Sequence, residues 1–497
     1  MKTWDPSSTA GGRRQSSQAL PVRWRDVRRE QQQRQNPHII DVEPRTVPSA
    51  LQARLGLDTD GLFAFALFVP LLFIVQLGTI GAAIIAALTP LYLCMRRRKL
   101  TAALAPRTFL FVLPAVALLS VVWSEAPKET LKGALELGLT VLAGLLLSSA
   151  RNQESVLRGL ALAFIVYIVV ALVQGGTVGI GVGPGGQAFS GLTNSKNLLA
   201  DIAASGAIIS MVVAIMGFSR RKWIWAFIGL LGVALAIQAI TGARSAGAML
   251  GLMMGVGAVG LLLPLLAAGK IVRAWLTSVV AVCLIAVGLS YRSLAQAMVD
   301  MGAQVFDKDP TLTGRTYLWY RAADLIAEKP WLGRGYQAFW QQGNTDAEGL
   351  WRYFGITDRS GFTFHNTGVE ILVALGWVGL IVVAATMLAG VIALVRRFVV
   401  RPDLALVCWV GLLLYQLART PIESIGLAPF YFSTVLAFGA LGAAFSRVHS
   451  LKPRRRHAPQ GAGVVQVWSA EDLRNGRSSR PPSHAQLRLL HGSGPQP

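Results

Sequence analysis

The sequence predicts an all-α polytopic membrane protein: about twelve transmembrane helices, with one large extracytoplasmic loop between the ninth and tenth that contains short helices. Three observations carry this. Hydrophobic residues make up 53% of the 497 and charged residues only 14%, long uncharged runs recur from 61 to 445, and one polar stretch, 291–365, interrupts them. The mean hydropathy is +0.49. A hydrocarbon core about 30 Å thick needs roughly 20 apolar residues in a helix. Each run is read as helical because unpaired backbone groups in lipid cost several kcal/mol.

In chain order the spans fall near 61–78, 79–95, 107–123, 131–150, 156–176, 197–217, 223–241, 245–268, 271–290, 367–395, 404–418 and 425–445. Cys94, Cys283 and Cys408 all lie in these runs without paired spacing, so neither a disulfide nor a zinc site is expected. Flanking them, 1–60 and 446–497 are rich in Gln, Arg, Pro, Ser and Gly and read as disordered basic cytoplasmic tails. No cleavable signal peptide is read, because the first apolar run follows a long polar stretch.

Orientation follows from Lys and Arg. With the N-terminus inside, 34 of the 47 fall on the inner side and 13 on the outer, eight of these in 291–365, which also holds eight Asp and Glu. Both termini are therefore expected in the cytoplasm and the loop outside. The same count accounts for the net charge of +22: basic residues at the cytoplasmic leaflet gain about 1 kcal/mol each from anionic lipid. Membrane lipids, not nucleic acid, are the expected partners of this charge.

Ionisable groups near the outer face are few. Arg244, in TGARSAG, lies where one span ends and the next begins, beside a helix N-terminus whose free N–H groups suit a phosphate. Gly242 and Gly247 flank it and could let a lipid phosphate approach the backbone. Lys196 and Asn197, in GLTNSKN, stand at the mouth of another span, with Asp201 one turn on. His365 and Asn366 repeat the arrangement, with Glu370 four residues after Asn366. Carboxylates just inside a membrane usually have a partner, and Arg244, Lys196 or Arg315 are the candidates for Asp201 and Glu370. The loop adds GRTYLWYRAADLIAEKPWLGRGYQAFW, 314–340. Tyr317–Glu328 reads as an amphipathic helix with Leu318, Ala322 and Leu325 on one face, ended by Pro330. Its many Trp and Tyr suit either interfacial anchoring or stacking on sugars.

GRTYLW…KPWLGRGYQAF with HNTGVEILVALGWVGL, together with WSEAP at 123–127 and GLTNSKN at 191–197 in the expected order along the chain, resemble the motifs of the O-antigen ligase and polysaccharide polymerase family, most of all the exopolysaccharide polymerases of succinoglycan type. The resemblance covers roughly 61–445. It implies a metal-independent, cofactor-free glycosyltransferase of the bacterial inner membrane. Its donor would be an undecaprenyl-diphosphate-linked oligosaccharide, used at the periplasmic face with a glycan acceptor, alongside chain-length regulator and export proteins. Carried over by position, Arg244 and Arg315 match the diphosphate-binding arginines and His365 the catalytic histidine. Lys196, Asn197, Arg334, Asn366, Glu370 and Asp201 complete the expected substrate-binding set. Ser195 and Phe364 depart from the commonest pattern and point to a different acceptor. Chemically, arginines stabilise a diphosphate leaving group, and an imidazole titrating near neutrality can take the proton of an attacking hydroxyl. Polymerase, ligase, lipid-linked glycan flippase and scaffold are the readings to separate. Polar groups gathered at one face favour the enzymes over a transporter with a midplane site.

Overall fold

The computed structural model describes residues 57–96, 103–179, 186–289, 315–359 and 361–445. Residues 1–56 and 446–497 of the expected tails, 97–102, 180–185, 360 and the first part of the loop, 290–314, lie outside the described residues. The expected N-terminal tail of 1–60 is shortened, because a helix begins at Thr59. The chain divides into Met1–Asp58 and Thr59–Pro497, and every element below belongs to the second unit.

The helices in order are α1 (Thr59–Leu72), α2 (Ile74–Met95), α3 (Ala105–Val122, with 3-10 turns at both ends), α4 (Pro127–Ser149), α5 (Gln153–Gln174), α6 (Lys196–Ser219), α7 (Trp223–Ala243), α8 (Ala246–Leu265), α9 (Lys270–Leu289), α10 (Arg315–Glu328), α11 (Thr345–Tyr353), α12 (Thr367–Val400), α13 (Leu404–Arg419) and α14 (Phe432–Ala443). Among the described residues eight are long and apolar enough to cross a membrane: α2 to α8 and α12. α1, α13 and α14 are shorter apolar helices. This is a helical multi-pass membrane protein. The all-α expectation needs one amendment, an antiparallel hairpin of β1 (Gly176–Gly179) and β2 (Gln187–Gly191) between α5 and α6. Small residues let its backbone lie against the helices: Gly191 has φ +60°, and a Cβ on Gly175 would fall 2.2 Å from Ala171 O.

α6 is the centre of the bundle. Its apolar stretch is 83% buried, against 17% for α2, which faces outward. Several N-termini are closed by side chains legible in the sequence: Asn152, Ser195, Asn344, Asn366 and Asp403 cap α5, α6, α11, α12 and α13. Asp60, at the start of α1, bonds Tyr92 and Arg96 at the end of α2 at 2.9 Å each and the Asn152 amide at 3.0 Å. α1 and α2 are therefore an antiparallel pair. Their break is at Phe73, not at 78/79 as hydropathy suggested, and Gly78 adds a second irregularity at φ +51°. Nor does the last span begin at 425: residues 420–431, with Pro421, Gly426 (φ +78°) and Phe430 (φ +47°), form a connection, and α14 starts at Phe432.

α12 has 34 residues, about 51 Å of helix at 1.5 Å per residue and longer than a bilayer core. It is broken at Gly376 (φ +62°). The loop after α10 fills the break. Arg334 N and Gly335 N donate to Val373 O and Ala374 O at 2.9 Å each, and Trp377 N and Val378 N donate to Pro330 O and Trp331 O at 2.8 and 3.1 Å. Backbone groups freed by the kink are thus satisfied by another segment. A Cβ on Gly376 would lie 2.4 Å from Trp331 O, so only glycine fits.

The loop has its own small core. Leu318, Ala322 and Leu325, the expected face of α10, pack with Phe339, Leu350, Trp351 and Phe364. The aromatics divide accordingly: Trp351 is buried, while Tyr320, Trp331 and Tyr353 are exposed.

Candidate functional site

The connection between α13 and α14 is stitched to the start of α12. Thr367 N donates to Thr420 O (2.9 Å), Asn366 Nδ2 to Pro421 O (3.0 Å) and Thr367 Oγ1 to Glu423 O (2.8 Å), while Ile425 N returns a bond to Thr367 Oγ1 (2.9 Å). These bonds hold Glu423 at the focus of four segments.

Glu423 Oε2 lies 3.1 Å from His365 Nδ1. Its Oε1 accepts from Arg315 Nη2 at 3.0 Å and from Asn197 Nδ2 at 3.2 Å. Arg315 Nη1 also donates to Ile422 O. Asn197 in turn accepts from Ser245 Oγ at 2.9 Å. Ser245 follows Arg244, a residue at φ +48° that ends α7 with its side chain exposed. The hairpin lies alongside, since a Cβ on Gly186 would sit 3.5 Å from Arg244 Nη1. Histidine and Arg315 therefore meet on one carboxylate, and Arg244 joins through its neighbour. Lys196 is the first residue of α6, beside Asn197.

His365 occupies the left-handed region, φ +49°, uncommon for a residue with a side chain. Its neighbours hold it there: Phe364 is fully buried, its N–H bonds Glu370 at 2.9 Å and its carbonyl accepts from Trp319 Nε1 at 2.8 Å. Burial works against charge on Glu423, yet the His365 hydrogen bond and the charges of His365, Arg315 and Arg419 hold its carboxyl below the ordinary value. An ionised Glu423 accepts from Nδ1–H, which leaves Nε2 as the ring nitrogen free to exchange a proton with a substrate.

The remaining expected residues take other places. Asp201 is paired with Arg419, not with Arg244, Lys196 or Arg315. Among the described residues Glu370 accepts from Trp340 Nε1 (3.1 Å), Phe364 N and Ser424 Oγ (3.2 Å), not from Arg244, Lys196 or Arg315. Arg334 is buried in a separate cluster, bonded to Glu125 (2.6 Å) and Glu328, with Lys329 also on Glu125 (2.8 Å). Asn366 caps α12 through Val369 N at 3.1 Å. Gly242 and Gly247 do not open the backbone to a ligand: added Cβ atoms would meet Phe189 at 3.2 Å and Ile422 at 2.7 Å. Among the described residues no three of His, Cys, Asp and Glu are grouped as metal ligands.

An apolar cavity of about 400 Å³ lies between α12 and α13. Ile371, Val383, Met387, Leu413 and Leu417 line it, together with Asn366 and Thr367.

A family model described as O-antigen ligase matches residues 231–384, a stretch that contains Arg244, Arg315 and His365. The chain is also 29% identical over 368 residues to the exopolysaccharide production protein ExoQ of Rhizobium meliloti (strain 1021), covering 73% of this chain and 81% of that protein. The chain is thus similar to the O-antigen ligase family model over 231–384 and to an exopolysaccharide production protein over most of its length. Glu423 and Arg419 lie beyond the stretch matched to the O-antigen ligase model. Sequence reasoning missed both. The available signal was RTPIES, 419–424: an arginine and a carboxylate in a short connection between two apolar runs, in a chain with few charges at that face.

Proposed function

We propose that this protein is a glycosyltransferase of surface polysaccharide synthesis that joins undecaprenyl-diphosphate-linked oligosaccharide repeat units at the periplasmic face of the bacterial inner membrane. In this reading the chain crosses the membrane twelve times, with both termini in the cytoplasm. The acceptor sugar hydroxyl attacks the anomeric carbon of the donor. The bond from that carbon to the diphosphate oxygen breaks, and its electron pair leaves on undecaprenyl diphosphate. His365 Nε2 takes the hydroxyl proton. Glu423 is the positioning residue that fixes the tautomer and stabilises the imidazolium as it forms. Arg244 and Arg315, with Lys196 at the same mouth, bind the diphosphate and stabilise its growing charge, so that no metal is required. Direct displacement inverts the anomeric centre.

The observation that carries the reading is the sharing of Glu423 by His365, Arg315 and Asn197. A base and an anion-binding cation on one carboxylate suit transfer from a diphosphate. The apolar cavity shares Asn366 and Thr367 with the turn that holds Glu423, which suits a substrate with a polyprenyl chain. The likeness to an exopolysaccharide production protein favours a polymerase. The family description as O-antigen ligase keeps transfer to a lipid A core or another acceptor as the second reading.

The test is reconstitution in proteoliposomes with a defined polyprenyl-diphosphate oligosaccharide, following product length and released diphosphate lipid. Wild type lengthens the glycan, and His365→Ala slows turnover by about 10²- to 10⁴-fold while remaining folded. Movement of the lipid across the bilayer without extension assigns a flippase instead.

A further inference from the structure

At the outer end of α6 and α13 lies a buried ion pair that the proposed chemistry does not use. Asp201 and Arg419 are only 2% and 3% exposed, and their side chains bond each other. Tyr415 Oη donates to Asp201 Oδ1 at 2.8 Å, and Tyr431 Oη donates to Oδ2 at 3.4 Å. Arg419 Nη1 is also 2.8 Å from the Tyr415 hydroxyl. Taking two charges out of water costs several kcal/mol per ion, and packed apolar residues often stabilise as well or better. Stability alone therefore does not account for the pair.

Both of its ends lead to Glu423. Asp201 stands one turn from Asn197, whose amide bonds Glu423 Oε1. The Arg419 carbonyl accepts from Ile422 N at 2.9 Å and Glu423 N at 2.8 Å, so the turn carrying the carboxylate starts on this arginine. α8 is shaped to admit it. Gly247, Gly251 and Gly255 recur every four residues, and added Cβ atoms would meet Ile422 Cδ1 at 2.7 Å, Arg419 Cγ and Cδ at 2.9 Å, and Gly411 O at 3.0 Å and Tyr415 Cβ at 3.1 Å. The glycine stripe clears room for the arginine stem, the tyrosine beneath it and the turn above it.

We propose that Asp201 and Arg419 are positioning residues. Their bridge sets α6 against α13 so that Glu423 faces His365, and Asp201 engages the Arg419 charge that would otherwise fall on Glu423. The inference rests on the reading of His365 as base. Among the described residues, the charged and titratable groups around Glu423 and His365 are Arg315 of α10, Arg419 of α13 and Glu370 of α12; α6 begins with Lys196 and contributes the neutral Asn197, and Tyr431 and Asp201 stand behind Arg419. In Asp201→Asn, Glu423 is the one carboxylate left near Arg419 among the described residues, so the His365 imidazolium loses support. The acid limb of the kcat profile then moves to lower pH. In Arg419→Gln a cation competing for Glu423 is gone, and the limb moves to higher pH.

The test measures kcat and KM against pH for full-length enzyme in proteoliposomes with a polyprenyl-diphosphate oligosaccharide. Expected are opposite shifts of the acid limb, a fall in kcat of about 10- to 100-fold at unchanged KM, and partial rescue by Asp201→Glu and Arg419→Lys. Unshifted limbs, or shifts of one sign, overturn the assignment when His365→Ala is inactive. Full activity in His365→Ala overturns the underlying reading, and this role with it. If the charge variants fail to fold, Gly251→Ala displaces the Arg419 stem without removing a charge. Reduced kcat at unchanged KM supports the role there, and wild-type kcat overturns it.

Discussion

Arg315 and Arg334 come from the same segment between α9 and α12 and both bond carboxylates, yet they stand in different kinds of place. Arg334 is enclosed: Glu125 and Glu328 take its guanidinium, its N–H bonds Val373 O, and its carbonyl receives Glu125 N at 3.0 Å. It latches the loop to the turn before α4 and to the broken α12. Arg315 shares its carboxylate with an imidazole and an amide, in a cluster that remains partly open, the His365 side chain being 28% exposed. The contrast teaches that counting arginines near a membrane face does not find a site. What distinguishes the two is whether the carboxylate beneath the arginine is spent on structure or also orients a base.

Substitutions sharpen that contrast. Arg315→Ala is expected to lower turnover by about 10²- to 10³-fold with little change in thermal unfolding, and Arg315→Lys to recover only part, because lysine lacks the planar fork. Comparable loss of folded protein would make Arg315 a second latch. Next, Gly335→Val strikes the closed region: its φ is +104° and an added Cβ would sit 2.3 Å from Ser124 Oγ. Destabilisation above about 3 kcal/mol is expected, read as loss of folded protein in detergent. Arg334→Ala removes side-chain bonds whose acceptors can partly rehydrate, Glu328 being 61% exposed. It should cost about 1–3 kcal/mol while turnover per folded molecule stays at the wild-type level, and lost turnover in fully folded protein would erase the distinction.

The smallest effect is a pH dependence of stability. Glu423 has a depressed carboxyl in the folded protein, so its contribution is complete above the ordinary carboxylate value of 4.5 and is lost as pH falls through the lower folded value. Thermal unfolding of Glu423→Gln should therefore lose less stability than wild type over that acid interval. Identical acid slopes would contradict the shared-carboxylate description.

Much of this architecture is legible because lipid imposes simple rules. Uncharged runs mark the helices, Leu318, Ala322 and Leu325 mark the inner face of α10, and Asn366 ahead of an apolar run reads as a helix start. Arg315 and His365 stand out as charges where charge is scarce. What stays hidden depends on partners far along the chain. The break at Gly376 is completed by the backbone of Pro330–Gly335, and Arg334 finds Glu125 more than two hundred residues away. The β1–β2 hairpin is masked by glycines that carry no alternation of apolar and polar residues. Glu423 escapes notice because hydropathy treats its connection as mere spacing between spans, although α6, α10, α12 and α13 all converge there.

The most direct measurement is turnover of Glu423→Gln beside His365→Ala in proteoliposomes charged with a polyprenyl-diphosphate oligosaccharide. A positioned general base predicts that both variants bind donor yet lose about 10²-fold or more in kcat, and that combining them costs little beyond the larger single loss. Wild-type chain lengths and rates from folded Glu423→Gln would contradict the dyad.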